Sequence, residues 1–532
     1  MLVDSIYTAC LVPLLMTIIS PLNASSPFEV WPMPTPADRV DNTAAVSPSS
    51  IVTLGSNDDS DVSTYALSST QAAVAKTVWL TNSHDAVSDL MAHNFLYSAQ
   101  SDRLNDLGAS LLRRFSTDAS NFSQKVSLAT PITRDTTKLT VIRSSLQIKT
   151  ASGNEVTVTL ANQDDSLAVD VHSSGKLTDK ERAAIASLAQ GFQQALDGLA
   201  GVPPKLDLGG MLQYDSQELS TVDFQTNFKP PAGGEQPQIT PVTLYVFHAD
   251  KDVRSLSVDG PSGKVQLNVN TRNQSLWGNQ AQQAVSMNNY LKQFDQAAAR
   301  GQADDALMKL LKDGFSQLNR NDDKPAGVDA LPSLNQQDHA LLTGLADFSA
   351  TVSATPTQPN LQRHDEWKTF DYQASQSTKI DDKDVPERQV SQDQQSHMRA
   401  SFHTAAPGKP LDFEKQTYVF NQIEDSAQSH TEFAYHKAYL TKALVQQSTS
   451  QNTHQLEYDQ GHLVSNTTTP KQSSRVLNLL PLLSPDSHAD GLKTEAQRAA
   501  LRAQHLRQVH ALIQLPDLTS ALSSSNQLED VP

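Results

Sequence analysis

"SLQIKTASGNEVTVTLANQDDSLAVDVHSSGKLTDKERAAIASLAQGFQQALDGLAG", residues 145–201, carries two hydrophobic periods in succession. In its first half Leu146 and Ile148, then Val156, Val158 and Leu160, then Leu167, Val169 and Val171 alternate with polar residues. Successive side chains of a strand point to opposite faces, so period two predicts three strands, each with one buried and one solvated face. The turn-forming clusters "ASGN" (151–154) and "NQDD" (162–165) separate them, which predicts an antiparallel meander. From Thr178 the period changes. Ile185, Leu188, Phe192, Leu196 and Leu199 share one helical stripe, and T-D-K-E offers a capping box from Thr178 to Glu181. Gly201 and Pro203-Pro204 end the helix. Its polar face, with Lys180, Glu181, Arg182, Gln190 and Gln193, is expected to be ordinary solvated surface. The helix is expected to cover the exposed apolar face of the sheet.

The same two periods recur on either side. Upstream, Val87, Leu90, Met91, Phe95 and Leu96 form one helical stripe, and Leu104, Leu107, Leu111 and Leu112 another. Downstream, "VTLYVFH" (242–248), "VRSLSV" (253–258) and "KVQLNV" (264–269) read as strands, the last two joined by the turn "DGPSG". A long helical region is expected from about Asn279 to Leu318, with Gly301 as a break. Its buried positions are expected at Val285, Tyr290, Leu291, Phe294, Leu307, Leu310, Leu311 and Leu318. A short helix is expected around "QDHALLTGLADFSA" (337–350). Residues 353–408 show no period and read as a linker. Beyond them, "TYVFNQIE", "TEFAYHKAYL", "KALVQQST", "HQLEYD" and "GHLVSNT" predict a small sheet of hairpins. The basic amphipathic "TEAQRAALRAQHLRQVHALIQ" (494–514) predicts a closing helix.

The fold class expected is α+β and multidomain: helix-covered antiparallel sheets plus a small β-rich C-terminal module, with disordered linkers. The expected boundaries are an apolar leader over 1–24, a disordered lead-in over 25–75, a helical segment over 76–125, and a sheet with its covering helix over 126–230. A second β region with long helices follows over 231–352, then a disordered linker over 353–408, a β-hairpin module with its closing helix over 409–515, and a polar tail over 516–532.

Composition bounds the function. A net charge of −17 repels phosphate backbones, so nucleic-acid binding is not expected. The single cysteine, Cys10, leaves no intramolecular disulfide and no cysteine-based metal cluster. Cys10 lies in "SIYTACLVPLLMTIISPL" (5–22), which Pro13 and Pro21 make a poor membrane span. Asp4 precedes that run where a leader carries Lys or Arg. Two readings stay open: an atypical secretory leader with cleavage after Ala24, or a start-site artefact with Met33 as the true first residue. The first implies export to the periplasm, the envelope or the medium; the second implies the cytoplasm.

Stretches such as 146–160, "GKLTDK…STVDF" (175–224), "NQIEDS…NTTTP" (421–470) and "SPSSIVTLG" (47–55) resemble a group of uncharacterised proteobacterial proteins. That resemblance implies a proteobacterial origin and a start near Met33. It implies no activity, cofactor or site residue.

No phosphate loop, nucleophile elbow or H-E-x-x-H helix occurs. Gly209-Gly210 and Gly233-Gly234 read as loop residues, and the acidic runs "SNDDSD" and "DDKD" lack a calcium-loop pattern. Eleven of fifteen histidines lie from His339 onward. Among them His436, His454 and His462, with Glu432 or Glu457, are the one set that hairpins bring near each other. Period two places His436 opposite the Tyr435 face and His454 on the Tyr458 face, so the histidines are expected on opposite sides of the sheet, with no metal and no cofactor bound. Tyr418, Phe420, Phe433, Tyr435, Tyr439 and Tyr458 are concentrated in the same region, as cross-strand packing or as a binding platform. The function expected is a non-catalytic bacterial interaction or structural protein, exported or envelope-associated if the leader is genuine. Its partner would be another protein, met through exposed sheet edges or the aromatic hairpins. The alternative is a hydrolytic or metal-dependent enzyme assembled from dispersed Asp, Glu and His; catalytic residues are not identified.

Overall fold

A computed structural model describes residues 76–82, 85–97, 101–129, 141–163, 165–200, 204–229, 242–321, 334–381, 385–483 and 494–518. The expected leader and lead-in, Cys10, Met33, "SNDDSD", Gly201, Pro203, Gly233-Gly234 and most of the tail lie outside them. The described residues belong to one compact unit.

Among the described residues fifteen strands form a single sheet in the order β1-β2-β5-β4-β3-β6, then β7 to β15 in sequence, every neighbour antiparallel. The N-terminal strands are β1 (Thr77–Trp79), β2 (Phe122–Leu128), β3 (Val141–Thr150), β4 (Glu155–Gln163), β5 (Ser166–Ser173) and β6 (Leu219–Lys229). The middle is β7 (Thr243–Asp250), β8 (Val253–Gly260), β9 (Gly263–Asn270) and β10 (Asp347–Ala354). The last five are β11 (Thr369–Asp381), β12 (Gln389–Thr404), β13 (Tyr418–His436), β14 (Tyr439–Asp459) and β15 (His462–Asn478). The helices are α1 (Ala86–Asn94), α2 (Leu107–Arg113), α3 (Asp179–Ser187), α4 (Ala189–Ala200), α5 (Gly209–Leu212), α6 (Gln280–Gly301), α7 (Asp305–Leu318), α8 (Gln336–Ala340), α9 (Leu480–Leu483) and α10 (Glu495–Leu512). The fold is mixed α+β, and among the described residues no helix is long and apolar enough to cross a membrane.

The meander over 145–175 is β3, β4 and β5, and its buried residues are the alternating ones. The helix after it is two pieces, α3 and α4, joined at Leu188. Thr178 and Glu181 close a reciprocal capping box, in which Glu181 also accepts from Ser152 Oγ at 2.5 Å and from Thr178 N at 2.8 Å. Burial alone would raise the Glu181 carboxyl, but these donors outweigh it and hold its pKa down at about 2. Phe192 is fully buried and meets Phe224 of β6 edge to face at 5.7 Å. Gly209-Gly210 open α5 rather than a loop. A Cβ on Gly191 would come 2.3 Å from the Gly210 carbonyl carbon, so the two helices pass at glycine distance. Gly301 does end a helix: Gln302 adopts φ 51°, and the glycine lies against the Phe370 ring. Val285 and Leu96, expected in the core, are exposed, because Val285 lies on the outer side of α6 and Leu96 beyond the end of α1.

Residues 353–408, expected as a linker, instead hold the end of β10 and all of β11 and β12. The separate sheets expected on either side are therefore one sheet, and the small hairpin module is the long β13, β14 and β15 of 19, 21 and 17 residues. Likewise the helical segment expected over 76–125 begins with β1 and runs into β2, and "QDHALLTGLADFSA" passes from α8 into β10. The reason is visible along one lateral row. From β5 to β9 it reads Val171, Val158, Leu146, Phe224, Phe247, Leu256 and Leu267. From β10 to β15 the same row continues as Ala350, Ala374, Ser396, Ala427, Thr449 and Ser473. Large apolar residues give way to small and polar ones, so from β10 to β13 the alternation persists in burial but not in hydrophobicity.

Buried amides take over from hydrocarbon there. Gln376, Gln392 and Gln394 face the helical side. Gln392 accepts from Thr343 N at 2.9 Å, Gln376 donates to Leu345 O at 3.1 Å, and Gln394 donates to Ile513 O at 2.8 Å while accepting from Leu515 N at 3.1 Å. Segments 341–346 and 513–516 have no ladder of their own, and these side chains satisfy their backbone groups.

Candidate functional site

The histidine set does not converge. His436 ends β13 opposite Tyr439 and meets Glu387 at 2.9 Å; His454 stands opposite Gln422 and bonds Gln422 and Asn466, each at 2.8 Å. From 422 to 436 the strand runs roughly 45 Å at its usual rise. His462 opens β15 opposite Asp459, Glu457 lies on the other face from His454, and Glu432 pairs with Lys442 at 2.6 Å. The expectation that His436 and His454 lie on opposite faces is corrected: both are on the face away from the helices, because Tyr458, which shares the His454 face, is buried there by loops rather than by helices. Distance separates them, not sidedness. No group of three or more His, Cys, Asp or Glu among the described residues is arranged to hold a metal ion.

The aromatics divide likewise. Phe433 and Tyr435 pack on the helical side, Tyr439 is exposed at the β13–β14 turn, and Tyr418, Phe420 and Tyr458 form a second small core on the outer face with Phe413. Within that core His403 Nε2 lies 2.9 Å from Glu366 Oε2, which also accepts from the Tyr418 hydroxyl at 2.8 Å. Burial, reinforced by the Glu366 charge, pushes the Tyr418 phenol well above its ordinary range. This His–Glu–Tyr group is nearly inaccessible and lines neither of the two cavities described below. It ties the 356–368 loop to the sheet. Sequence reasoning missed it because its members are spread over residues 366–418 with no motif.

The first cavity, about 370 Å³, lies between α6 and the helical face of β11–β14. Tyr372, Met398, Asp425 and Gln451 form its floor as one cross-strand row. Arg300 at its mouth donates from Nε to Asp425 at 2.5 Å and from Nη2 to Thr453 at 2.9 Å. Asp425 is almost fully buried, and burial lifts its pKa even against the Arg300 charge. The second cavity is an open groove on the outer face beside Trp367, Asp365, Phe420 and Gln422.

A long exposed edge closes the sheet. Among the described residues β15 is the last strand and pairs only with β14, and almost every one of its seventeen residues is exposed. Pro470 stands within it, as a terminal strand allows, because its missing N–H faces away from the ladder. Lys471 and Arg475 are its only formal charges apart from His462, and it contains no Asp or Glu. No family model matches this chain, and no curated protein or solved structure proves similar to it.

Proposed function

We propose that the chain is a non-catalytic interaction protein that adds an extended, acidic segment of a partner protein to the free edge of β15. The observation that carries this reading is the length and exposure of that edge. An edge strand offers a row of backbone donors and acceptors to an incoming strand, and side-chain charge then selects among segments. Lys471 and Arg475, without a neighbouring carboxylate on the strand, favour an acidic one. Pro470 limits continuous pairing to the stretches on either side of it, which restrains open-ended stacking of this chain on itself.

A proline test follows from parity. Thr468 shares the backbone orientation of Pro470, so its N–H also faces outward and Thr468→Pro leaves the β14 ladder whole. With a photo-crosslinking residue at Thr467 in the full chain, in its own cells, the expected result is an adduct with a different protein. Thr468→Pro should reduce it at least about tenfold with no change in melting temperature. Adducts that survive Thr468→Pro, that join two copies of this chain, or that form equally from a probe at exposed Lys309 of α7 would overturn the proposal.

A further inference from the structure

The two cations of the free edge stand on one side of it. Arg475 is opposite Gln447 and Lys471 is opposite Gln451, so each has an amide rather than a carboxylate across the ladder. Gln447 donates to Leu512 O at 3.0 Å, and Gln451 lines the cavity beneath α6, which places both pairs on the helical side. Arg475 Nε donates to Gln447 Oε1 at 2.7 Å, and this bond steadies the guanidinium there. Side chains alternate along a strand, so Gln472, Ser474, Val476 and Asn478 project to the outer side. Past Pro470, that side of the strand carries no charge.

Backbone geometry brings the same two residues closest to an incoming strand. Pro470 has its nitrogen facing outward, and Gln472, Ser474 and Val476 share its parity. In an antiparallel addition these three would form the hydrogen-bonded pairs. Lys471 and Arg475 would fall in the narrow pairs between them, where Cα atoms stand about 4.5 Å apart and side chains are closest. Opposite charges directly across such a pair attract, and the residues facing Lys471 and Arg475 are four apart on the incoming strand. A second carboxylate at an odd spacing from the first projects to the outer side, where it meets no cation of β15 and salt screens what attraction is left. We infer that the β15 edge selects by parity, favouring a strand whose carboxylate residues are four apart and so face Lys471 and Arg475 together. Such selection presupposes strand addition at the edge proposed above and narrows its acidic segment to one spacing.

Peptide capture on the full chain tests this, with a photo-crosslinking residue at Ser474, on the side away from both cations. The probes are nine-residue peptides of Thr and Val carrying two Glu, either four or five residues apart, and the same pair with Lys in place of Glu. The Glu peptide with spacing four should be captured about threefold more than its isomer with spacing five, and the difference should shrink in high salt. In the double variant Lys471→Glu with Arg475→Glu, the preference should pass to the Lys peptide with spacing four. Equal capture of the two Glu spacings, an unchanged preference in the double variant, or no capture of any peptide would overturn the inference. The edge reading is separately decided by the Thr468→Pro adducts in cells, so equal capture alongside adducts that Thr468→Pro removes would leave strand addition standing without selection by parity.

Discussion

Phe192 and Glu181 show how single residues fix the N-terminal half. Phe192 is fully enclosed between α2, α4 and β6, where the Leu196 and Phe192 side chains also press on Gly108. Phe192→Ala should cost about 3–5 kcal/mol, read as a lowered denaturant midpoint, because the surrounding helices and sheet collapse only partly onto the space left. Glu181 acts through charge. Its carboxyl titrates near 2 in the fold against an ordinary 4.5, so its contribution is complete above about pH 4.5 and is lost as pH falls towards 2. Glu181→Gln puts an amide N–H where Ser152 or Thr178 N already donates. The variant should be less stable by about 1–3 kcal/mol at neutral pH and show a flatter acid limb in melting temperature between pH 4.5 and 2. An acid limb identical to that of the unaltered chain would contradict the hydrogen-bond account of that carboxyl.

Elements differ in how legibly they are written. β3, β4, β5 and the helices after them announce themselves because most of their buried positions are Leu, Val, Ile, Phe or Ala, with a T-D-K-E box marking the helix start, although Glu181 and Gln193, expected on the solvated face, are buried too. β11 and β12 hide because their buried positions include Gln376, Gln392, Gln394 and Ser396, which look like solvated residues until the segments they bind are in place. The Arg300–Asp425 cavity was illegible for a related reason: its floor is a register row across four strands, two of which had read as linker. Gln394→Leu tests the amide explanation. It strands Leu515 N, while Ile513 O keeps the Ser429 hydroxyl at 2.9 Å, so it should cost about 1–3 kcal/mol and speed proteolysis around residues 513–518. A neutral substitution would show that the C-terminal segment is held by other means. Amides of 369–381 and 389–404 should exchange as slowly as those of β3 and β4, since both are interior ladders.

At the scale of the whole molecule, the sheet grades from an apolar to an amide-lined interior without breaking, and this places a long polar edge at one end. β10 is the junction: Thr351 stands opposite Gln266 of β9 and opposite Gln373 of β11, on the face away from the helices. If 353–408 were a linker, no fixed register would exist there. The measurement that bears on this most directly is cysteine cross-linking in the full chain with Cys10 replaced by serine. Thr351→Cys with Gln373→Cys, and Thr351→Cys with Gln266→Cys, place directly opposed Cβ atoms about 4.5–5.5 Å apart, close enough for a disulfide with small adjustment. The diagonal pair Thr351→Cys with Ser375→Cys, about 7–8 Å apart, is not. One continuous sheet requires both opposed pairs to oxidise nearly completely and the diagonal pair to remain largely reduced. Equal, slow oxidation of the Gln373 and Ser375 pairs would contradict it and restore the flexible connection that the composition of 353–408 suggests.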